Sequence, residues 1–294
     1  MARSMIQQPQ HSPETMPRTN MPDPSAAPAS PSPDETVRYS APALDKGLDI
    51  LEVLSRTAEG CTLKQLADAL NRNVNQIFRM VVALHRRGYI QSDANDRYTL
   101  TLKMFCLAHR QPPLKRLVQT ALPLLNELAE RARQSCHLAV YEQGCSVVIA
   151  QVDAPDRWSF GLKTGSFMGL TDTSSGHILL AYQDEIGRAR MLRNHSKVEG
   201  ELDMDPGHLL SMLADVRRAG YSIMPSKQIQ GVTNIAFPVH SLNHKVVAAI
   251  NVPYIARIDA AATPSIEEVK HIQADISTRL SRALGADADA QVQA

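Results

Sequence analysis

The sequence predicts an α+β protein with two folded blocks, a small helical block closed by a hairpin and a larger block of mixed strands and helices. Three observations predict it. Apolar residues recur at helical spacing in three successive segments between Pro42 and Gly88, and a hairpin signal follows at once. From Cys136 onward the apolar period shortens to strand-like runs separated by helical ones, the pattern of an α/β domain. The chain has 294 residues, more than the roughly 100 to 200 that one such core usually serves, so two cores are expected.

Residues 1–40 are rich in Pro, Ser, Ala, Gln and Thr, as in MPDPSAAPASPSPDE, and bury too little to offset their ordering entropy, so they read as a disordered tail. Domain one is expected over 41–100. Leu44, Leu48, Leu51 and Leu54 give its first helix a stripe. Thr62 is a good N-cap for TLKQLADAL, which would bury Leu63, Leu66, Ala67 and Leu70. A break at 71–73 opens VNQIFRMVVALHRRG, ended by Gly88 where helix C-termini favour glycine. Tyr89–Gln91 and Arg97–Leu100 flank the turn SDAND. Three helices and a wing make a winged helix-turn-helix.

Residues 101–134 read as a helical linker, TLKMFCLAHR and then LKRLVQTALPLLNELAERAR after Pro112-Pro113, with Pro123 predicting a kink or restart. The second domain is expected over 135–285. HLAVYEQG, SVVIAQVD, WSFGLK, YSIMPS, VTNIAFPV and KVVAAINVPY read as strands. The helices between and after them are SGHILLAYQ, a segment around EIGRARML, GHLLSMLADVRRAG, and one from near Pro264. Residues 286–294 read as a second disordered tail.

Composition narrows the function. The hydrophobic fraction is 44%, and no stretch approaches the ~18 unbroken apolar residues that span a bilayer, so no membrane partner is expected. The first twenty residues have no apolar core of signal-peptide length, which places the protein in the cytoplasm. Cys61, Cys106, Cys136 and Cys145 are irregularly spaced, which suggests neither a disulfide framework nor a zinc site. A net charge of +1 argues against a generally basic nucleic-acid coat and leaves room for a local basic face.

Such a face lies on the third helix. Measured from Ile77 at ~100° per residue, Met80, Val81 and Leu84 form one apolar stripe, and the opposite side gathers Arg72, Asn75, Arg79 and Arg86 with Gln76 at its flank. An α-helix fits the major groove, where Asn and Gln pair with adenine and Arg with guanine. The N-terminal residues Asn75, Gln76 and Arg79 are therefore the candidate base readers. Thr62, with the free N–H groups after it, would suit a phosphate, and Lys64, Arg72 and the wing residue Arg97 would add cationic contacts. An ordinary solvated helix face is the alternative; the adjoining short helix, tight break and hairpin favour DNA.

With those residues in place, the chain resembles the IclR family of bacterial transcriptional regulators from about Ala43 to Leu284. The likeness rests on ALDKGLDILEVL, on TLKQLADAL followed by NQIFRMVVALHRRGYI, on RYTLTLKMFCLA, and on TDTSSGHILLA, VRRAGYSI and GVTNIAFPV followed by VVAAINV. The resemblance implies a winged helix-turn-helix, a helical linker and a C-terminal GAF-like α/β effector-binding domain, assembled as a homodimer or homotetramer on double-stranded operator DNA. It places the small-molecule effector against Ser174, Ser175, Met224, Asn234 and Asn251. The family often has an acidic residue at Met224, Cys at Asn234, Ser at Asn251 and Lys at His177. These departures point away from a small keto acid and toward a larger, aromatic carboxylic acid.

No catalytic residue, metal site or cofactor is expected. Ser174 and Ser175 lie outside G-x-S-x-G, and neighbouring Cys136 and His137 would point to opposite faces of a strand. His240 and His244 have i, i+4 spacing, but a turn and not a helix is expected around SLNH, unsuited to metal ligation. Trp158 and Phe160, two apart on an expected strand, read as core. The rival functions are a metabolic enzyme or a protein-binding module with a winged-helix accessory domain.

Overall fold

A computed structural model describes residues 41–258 and 263–286, so the tail expected over 1–40 and all but Ala286 of the closing one lie outside the described residues. The chain divides into two compact units between Met104 and Phe105.

In the first unit, α1 (Pro42–Ser55) is followed by β1 (Cys61–Thr62), α2 (Leu63–Ala69), α3 (Val74–Arg86), β2 (Ile90–Ser92) and β3 (Arg97–Leu100). The strands form an antiparallel sheet in the order β1-β3-β2. Ile50, Leu54, Leu66, Ile77, Val81 and Ile90 are buried together in one core, each large aliphatic contributing roughly 1.5–3 kcal/mol of transfer free energy.

The turn between α2 and α3 is set by local chemistry. Asn71 adopts a left-handed backbone, φ +50°, and the N–H groups of Asn71 and Arg72 donate back to the carbonyls of Asp68 and Ala67. Two residues on, Asn73 caps α3: its Oδ1 accepts from Gln76 N at 3.0 Å while Gln76 Oε1 accepts from Asn73 N at 3.2 Å. The same reciprocal box joins Thr62 and Gln65 at α2. Gly88, at φ +71°, closes α3 with Gly88 N donating to His85 O and Tyr89 N to Leu84 O.

After α4 (Lys103–Arg110), the second unit comprises α5 (Pro112–Ala132), β4 (Cys136–Glu142), β5 (Cys145–Val152), β6 (Phe167–Met168), α6 (Ser174–Ala181), α7 (Glu185–Arg193), α8 (Pro206–Ala219), β7 (Ser222–Pro225), β8 (Val232–His240), a short 3-10 turn (Leu242–His244), β9 (Val246–Ile255) and α9 (Ile266–Ala283). Its six-stranded sheet is antiparallel throughout, in the order β6-β5-β4-β9-β8-β7.

Strand alternation sorts the side chains into two layers. Cys136, Leu138, Ile235, Phe237, Ile250 and Val252 pack with α5 and α9. Ala236 and Ala249 belong to the core under α6 and α8, with Ile178, Leu180, Leu209 and Leu213. Pro238 lies beyond the β7 pairing, which ends at Ser222↔Ala236, so its missing N–H costs that strand pair nothing.

Three expectations change. The segment WSFGLK is a loop, and β6 at Phe167–Met168 pairs with β5 instead. Its alternation is only two aromatics deep, and Ser159 Oγ donates to Asp153 Oδ1 at 2.8 Å, folding the segment back. Helix α5 runs unbroken through Pro123, because Pro123 and Gln119, whose carbonyl loses a partner, both face solvent. Much of the stretch read as linker is also core: Leu117, Ala121, Leu125, Leu128, Ala129 and Ala132 are buried in the second unit.

An ion cluster joins α5 to α9. Arg279 grips Glu127 through two contacts, 2.6 and 2.7 Å, and Arg131 adds one at 2.9 Å. Arg279 first, and Arg131 second, hold the Glu127 carboxyl down from about 4.5 to about 2. A depressed carboxylate contributes stability that is complete above its unfolded value and lost as pH falls through its folded one. In urea unfolding followed against pH, Glu127→Gln should therefore flatten the loss of stability between about pH 4.5 and 2; an unchanged acid limb would remove this cluster from the pH dependence.

Candidate functional site

The first candidate surface is the outer face of α3. Ile77 and Val81 anchor the helix in the core, while Asn75, Gln76, Arg79 and Arg86 are exposed on the other side. Lys64 on α2 is exposed as well. Four of the expected contacts already have internal roles, Thr62 in the cap of α2 being the first. Gln76 spends its Oε1 on the cap, leaving its amide N–H groups for a ligand. Arg72 pairs with Asp49 at 3.4 Å. Arg97 donates to the carbonyls of Glu59 at 3.0 Å and Gly60 at 2.8 Å, so it pins the wing to the loop before β1.

Two further residues of this face were not singled out in the sequence. Phe78 and Val82 are 50% and 48% exposed. They lie ~100° and ~140° from Ile77, off the core stripe and beside Asn75. Apolar residues at positions the helical period assigns to solvent were the available signal. A thymine methyl is the natural contact for such groups in a major groove.

The second candidate site is a cavity of about 150 Å3 in the second unit. Ser174 and Ser175 open α6 at its rim, Asn234 and Asn251 project from β8 and β9, and Phe160, Leu162, Phe167, Met168 and Val232 supply apolar walls. Gly176 makes the rim possible, since a Cβ there would lie 2.2 Å from the Leu170 carbonyl oxygen. Thr173 caps the helix by accepting from Gly176 N at 3.1 Å. The N–H groups of Ser174 and Ser175 lie between Thr173 and Gly176, in the first turn at the positive end of the helix. Four of the five expected effector residues are thus gathered. Met224 is not among them: it lines a separate groove with His177, Met212 and Tyr221. It pairs with Asn234 at the sheet edge, beyond the cavity.

The cavity also holds groups that the motif comparison passed over. His137, fully buried on β4, has no hydrogen-bond partner on either ring nitrogen, and burial pushes its pKa down to about 4. Asp172 accepts from Leu202 N at 3.1 Å and Gln228 Nε2 at 3.4 Å, and burial holds its carboxyl above the usual range. Phe160, expected in the core, lines this cavity, and Trp158 is 69% exposed. Of the cysteines, Cys136 is buried with its thiol donating to Leu125 O at 3.3 Å, and burial pushes its pKa up to about 12, so it is no nucleophile. Among the described residues no cluster of three or more metal-ligating side chains occurs, and no helix is long and apolar enough to cross a membrane.

A winged helix-turn-helix with a polar reading face, and a separate α/β unit that encloses a small cavity, define a DNA-binding regulator with a sensor domain. Residues 43–94 match the IclR helix-turn-helix domain, and 114–278 match the bacterial transcriptional regulator IclR C-terminal domain. The chain belongs to the IclR family of bacterial transcriptional regulators, which are not enzymes. It is 27% identical over 248 residues to the HTH-type transcriptional regulator BhcR of Paracoccus denitrificans, covering 81% of this chain and 88% of that one. Its fold matches an IclR homologue from Microbacterium hydrocarbonoxydans solved in complex with 4-hydroxybenzoate, with TM-score 0.70, 23% identity, and coverage of 83% of this chain and 100% of that one. The Thermotoga maritima IclR matches with TM-score 0.65 and 21% identity, over 83% of this chain and 98% of that one.

The cap on α3 should be measurable by itself. Asn73→Ala removes one side of the box and should lower the stability of the first unit by about 1 kcal/mol in urea unfolding, with Asn73→Asp restoring most of it. Equal stability of Asn73→Ala and wild type would contradict the capping geometry.

Proposed function

We propose that this regulator sets α3 into the major groove of double-stranded operator DNA, and that a small organic acid bound in the second unit adjusts its operator affinity. The single observation that carries the first half is the exposed row of Asn75, Arg79 and Arg86 on a helix held from behind by Ile77 and Val81. A helix fixed in this way presents bidentate donors with little ordering cost. Asn75 and Arg79 read bases, assisted by the free amide of Gln76 and by Phe78. Thr62 and Lys64 face phosphates, and Arg72 joins them at the cost of its pair with Asp49. Arg97 acts chiefly by holding the wing.

The effector half rests on the cavity and the residues that close it: Ser174, Ser175, Asn234 and Asn251. The relative solved with 4-hydroxybenzoate supports an aromatic acid as the kind of ligand. Such a ligand acts by binding one arrangement of the chain better than another. A hundredfold change in operator affinity needs only about 2.7 kcal/mol of differential binding. Assembly as a homodimer or homotetramer suits paired half-sites on DNA, and a regulator of this kind works in the cytoplasm.

The test is fluorescence anisotropy with the protein's own upstream promoter fragment. Arg79→Ala and Asn75→Ala should each weaken specific binding by about 1–3 kcal/mol, roughly 5- to 150-fold, and relax preference at one base position. Lys64→Ala should weaken all sequences alike and reduce the salt slope by about one. If Arg79→Ala bound that fragment as tightly as wild type, the assignment of α3 as reading helix would fall.

A further inference from the structure

His240 and His244 lie with two arginines in a second groove of the second unit, away from the cavity under α6. The groove measures about 800 Å3 and is lined by α8, α9, the end of β8 and the 3-10 turn. Arg217 and Arg218 come from the last turn of α8, His240 from the last position of β8 and His244 from the turn that follows. No Asp or Glu is among the lining residues. The groove exists because β7 stops at Ser222↔Ala236, which leaves the β8 edge beyond it without a neighbouring strand. Another strand cannot add there: Pro238 has no N–H, its carbonyl accepts from Ser277 Oγ, and His240 N donates to Ser281 Oγ at 2.9 Å.

The central cation is held in place without an acid. The Arg217 guanidinium carbon lies 4.4 Å from the centroid of the Tyr182 ring, and that ring meets the His240 ring edge-on at 5.4 Å. An aromatic face attracts the guanidinium without supplying an oxygen acceptor, so the N–H donors of Arg217 remain for a ligand. Among the described residues no carboxylate pairs with Arg217, whereas Arg218 is paired with Asp215 at 3.1 Å. Burial first, and then the charges of His244 and Arg217, hold His240 below its usual pKa. The C-terminus of α8 adds about half a negative charge, which Arg217 alone outweighs.

These groups select the kind of ion. Two arginines oppose a metal ion beside the histidines. Donors arrive from α8, from β8 and from the turn, so an anion held by all of them needs oxygens that point several ways. A carboxylate has two, in one plane, and a single charge. A phosphate monoester has three terminal oxygens and a charge of about −1.5 to −2 at pH 7. A guanidinium fork takes two of those oxygens, and the third is left for an imidazole. Phe237, Pro238 and Ala274 provide an apolar wall for the organic part of the ester.

The geometry points to a second ligand site on this unit, in which Arg217, Arg218, His240 and His244 bind the phosphate of a small phosphate monoester. The site does not depend on the reading of the cavity under α6 as the effector site.

Calorimetric titration of the full chain at pH 7 with phenyl phosphate, inorganic phosphate and dimethyl phosphate tests it. Wild type should bind phenyl phosphate with a Kd of about 1 mM or tighter. Dimethyl phosphate, a diester with one charge and two terminal oxygens, should bind about tenfold or more weakly. Arg217→Ala should weaken phenyl phosphate about tenfold or more, the loss of a charged hydrogen-bonding partner. Arg217→Lys should lose less, because an ammonium keeps the charge and not the fork, and it carries the test should the alanine variant fold poorly. His244→Ala, at an exposed position, should cost about threefold. Failure of wild type to bind either phenyl phosphate or inorganic phosphate would overturn the site. Dimethyl phosphate binding as tightly as phenyl phosphate would overturn the monoester class. Unchanged affinity in both Arg217 variants would overturn the groove as the place of binding; a shift in their sedimentation at the same time would assign it to contact between copies of the chain. Affinity kept in Arg217→Ala and lost in the cavity-filling Leu162→Trp variant would move the phosphate to the cavity under α6 and equally overturn the proposal.

Discussion

The second unit depends on one constraint: β4, β9 and β8 lie in the middle of a sheet covered by helices on both faces. Every side chain along them must then be apolar, small or hydrogen-bonded. One face meets the requirement with Leu138, Ile235, Phe237, Ile250 and Val252 under α5 and α9. There α9 contributes polar groups as well: Gln273 Nε2 donates to the carbonyls of Ile235 and Ile250 at 2.9 Å, and Ser277 Oγ to that of Pro238. The other face uses alanines, Ala139, Ala236 and Ala249, which let α6 lie close enough to be buried along its whole length. Along these three strands, among the described residues, the requirement is left unmet by His137 and Asn251, at the end of that face near the start of α6.

What the sequence made legible follows from which forces are local. Caps and periodicity are local, so Thr62, the break at 71–73, Gly88 and the stripe from Ile77 to Leu84 were readable before any fold was known. Burial on both faces is not local. The leucines of α5 read as one amphipathic helix whether they line a linker or a core, and only the sheet beneath them decides. WSFGLK has strand-like residues and no strand to pair with, because β6 further along takes the edge of β5. Ser174, Ser175, Asn234 and Asn251, which the motif resemblance grouped, line one cavity. Met224, on the strand at the sheet edge, followed the same motif and lines a different groove. His137 carried no spacing signal; it is recognisable only by its missing partners.

Helix α3 shows how little separates a capping side chain from an exposed one at a helix N-terminus. Asn73, Gln76 and Asn75 are neighbours of similar chemistry, and the chain uses the first two to cap the helix and leaves the third outside. One end of Gln76 is committed and the other is available, so any base it contacts is met by a side chain already fixed in place. Arg97 shows the opposite economy. Two of its guanidinium N–H groups are committed to the Glu59 and Gly60 carbonyls, so the wing gains a defined position and those donors are lost to a ligand. Counting cations along the sequence cannot separate Arg97 from Arg79, because the first donates to backbone carbonyls and the second is exposed to solvent.

The unsatisfied floor and the helix α5 share a strand. Along β4, Cys136 and Leu138 pack toward α5, with the Cys136 thiol on the Leu125 carbonyl, while His137 between them faces the cavity. Adjacent residues of one strand thus line the cavity on one side and pack against α5 on the other. A ligand that pressed on that strand from the cavity would also press on α5, because close-packed side chains transmit small shifts instead of absorbing them. The direction of the effect depends on which arrangement of α5 lets the strand meet the ligand best. Only that difference in affinity, not the distance crossed, sets how strongly the two are coupled.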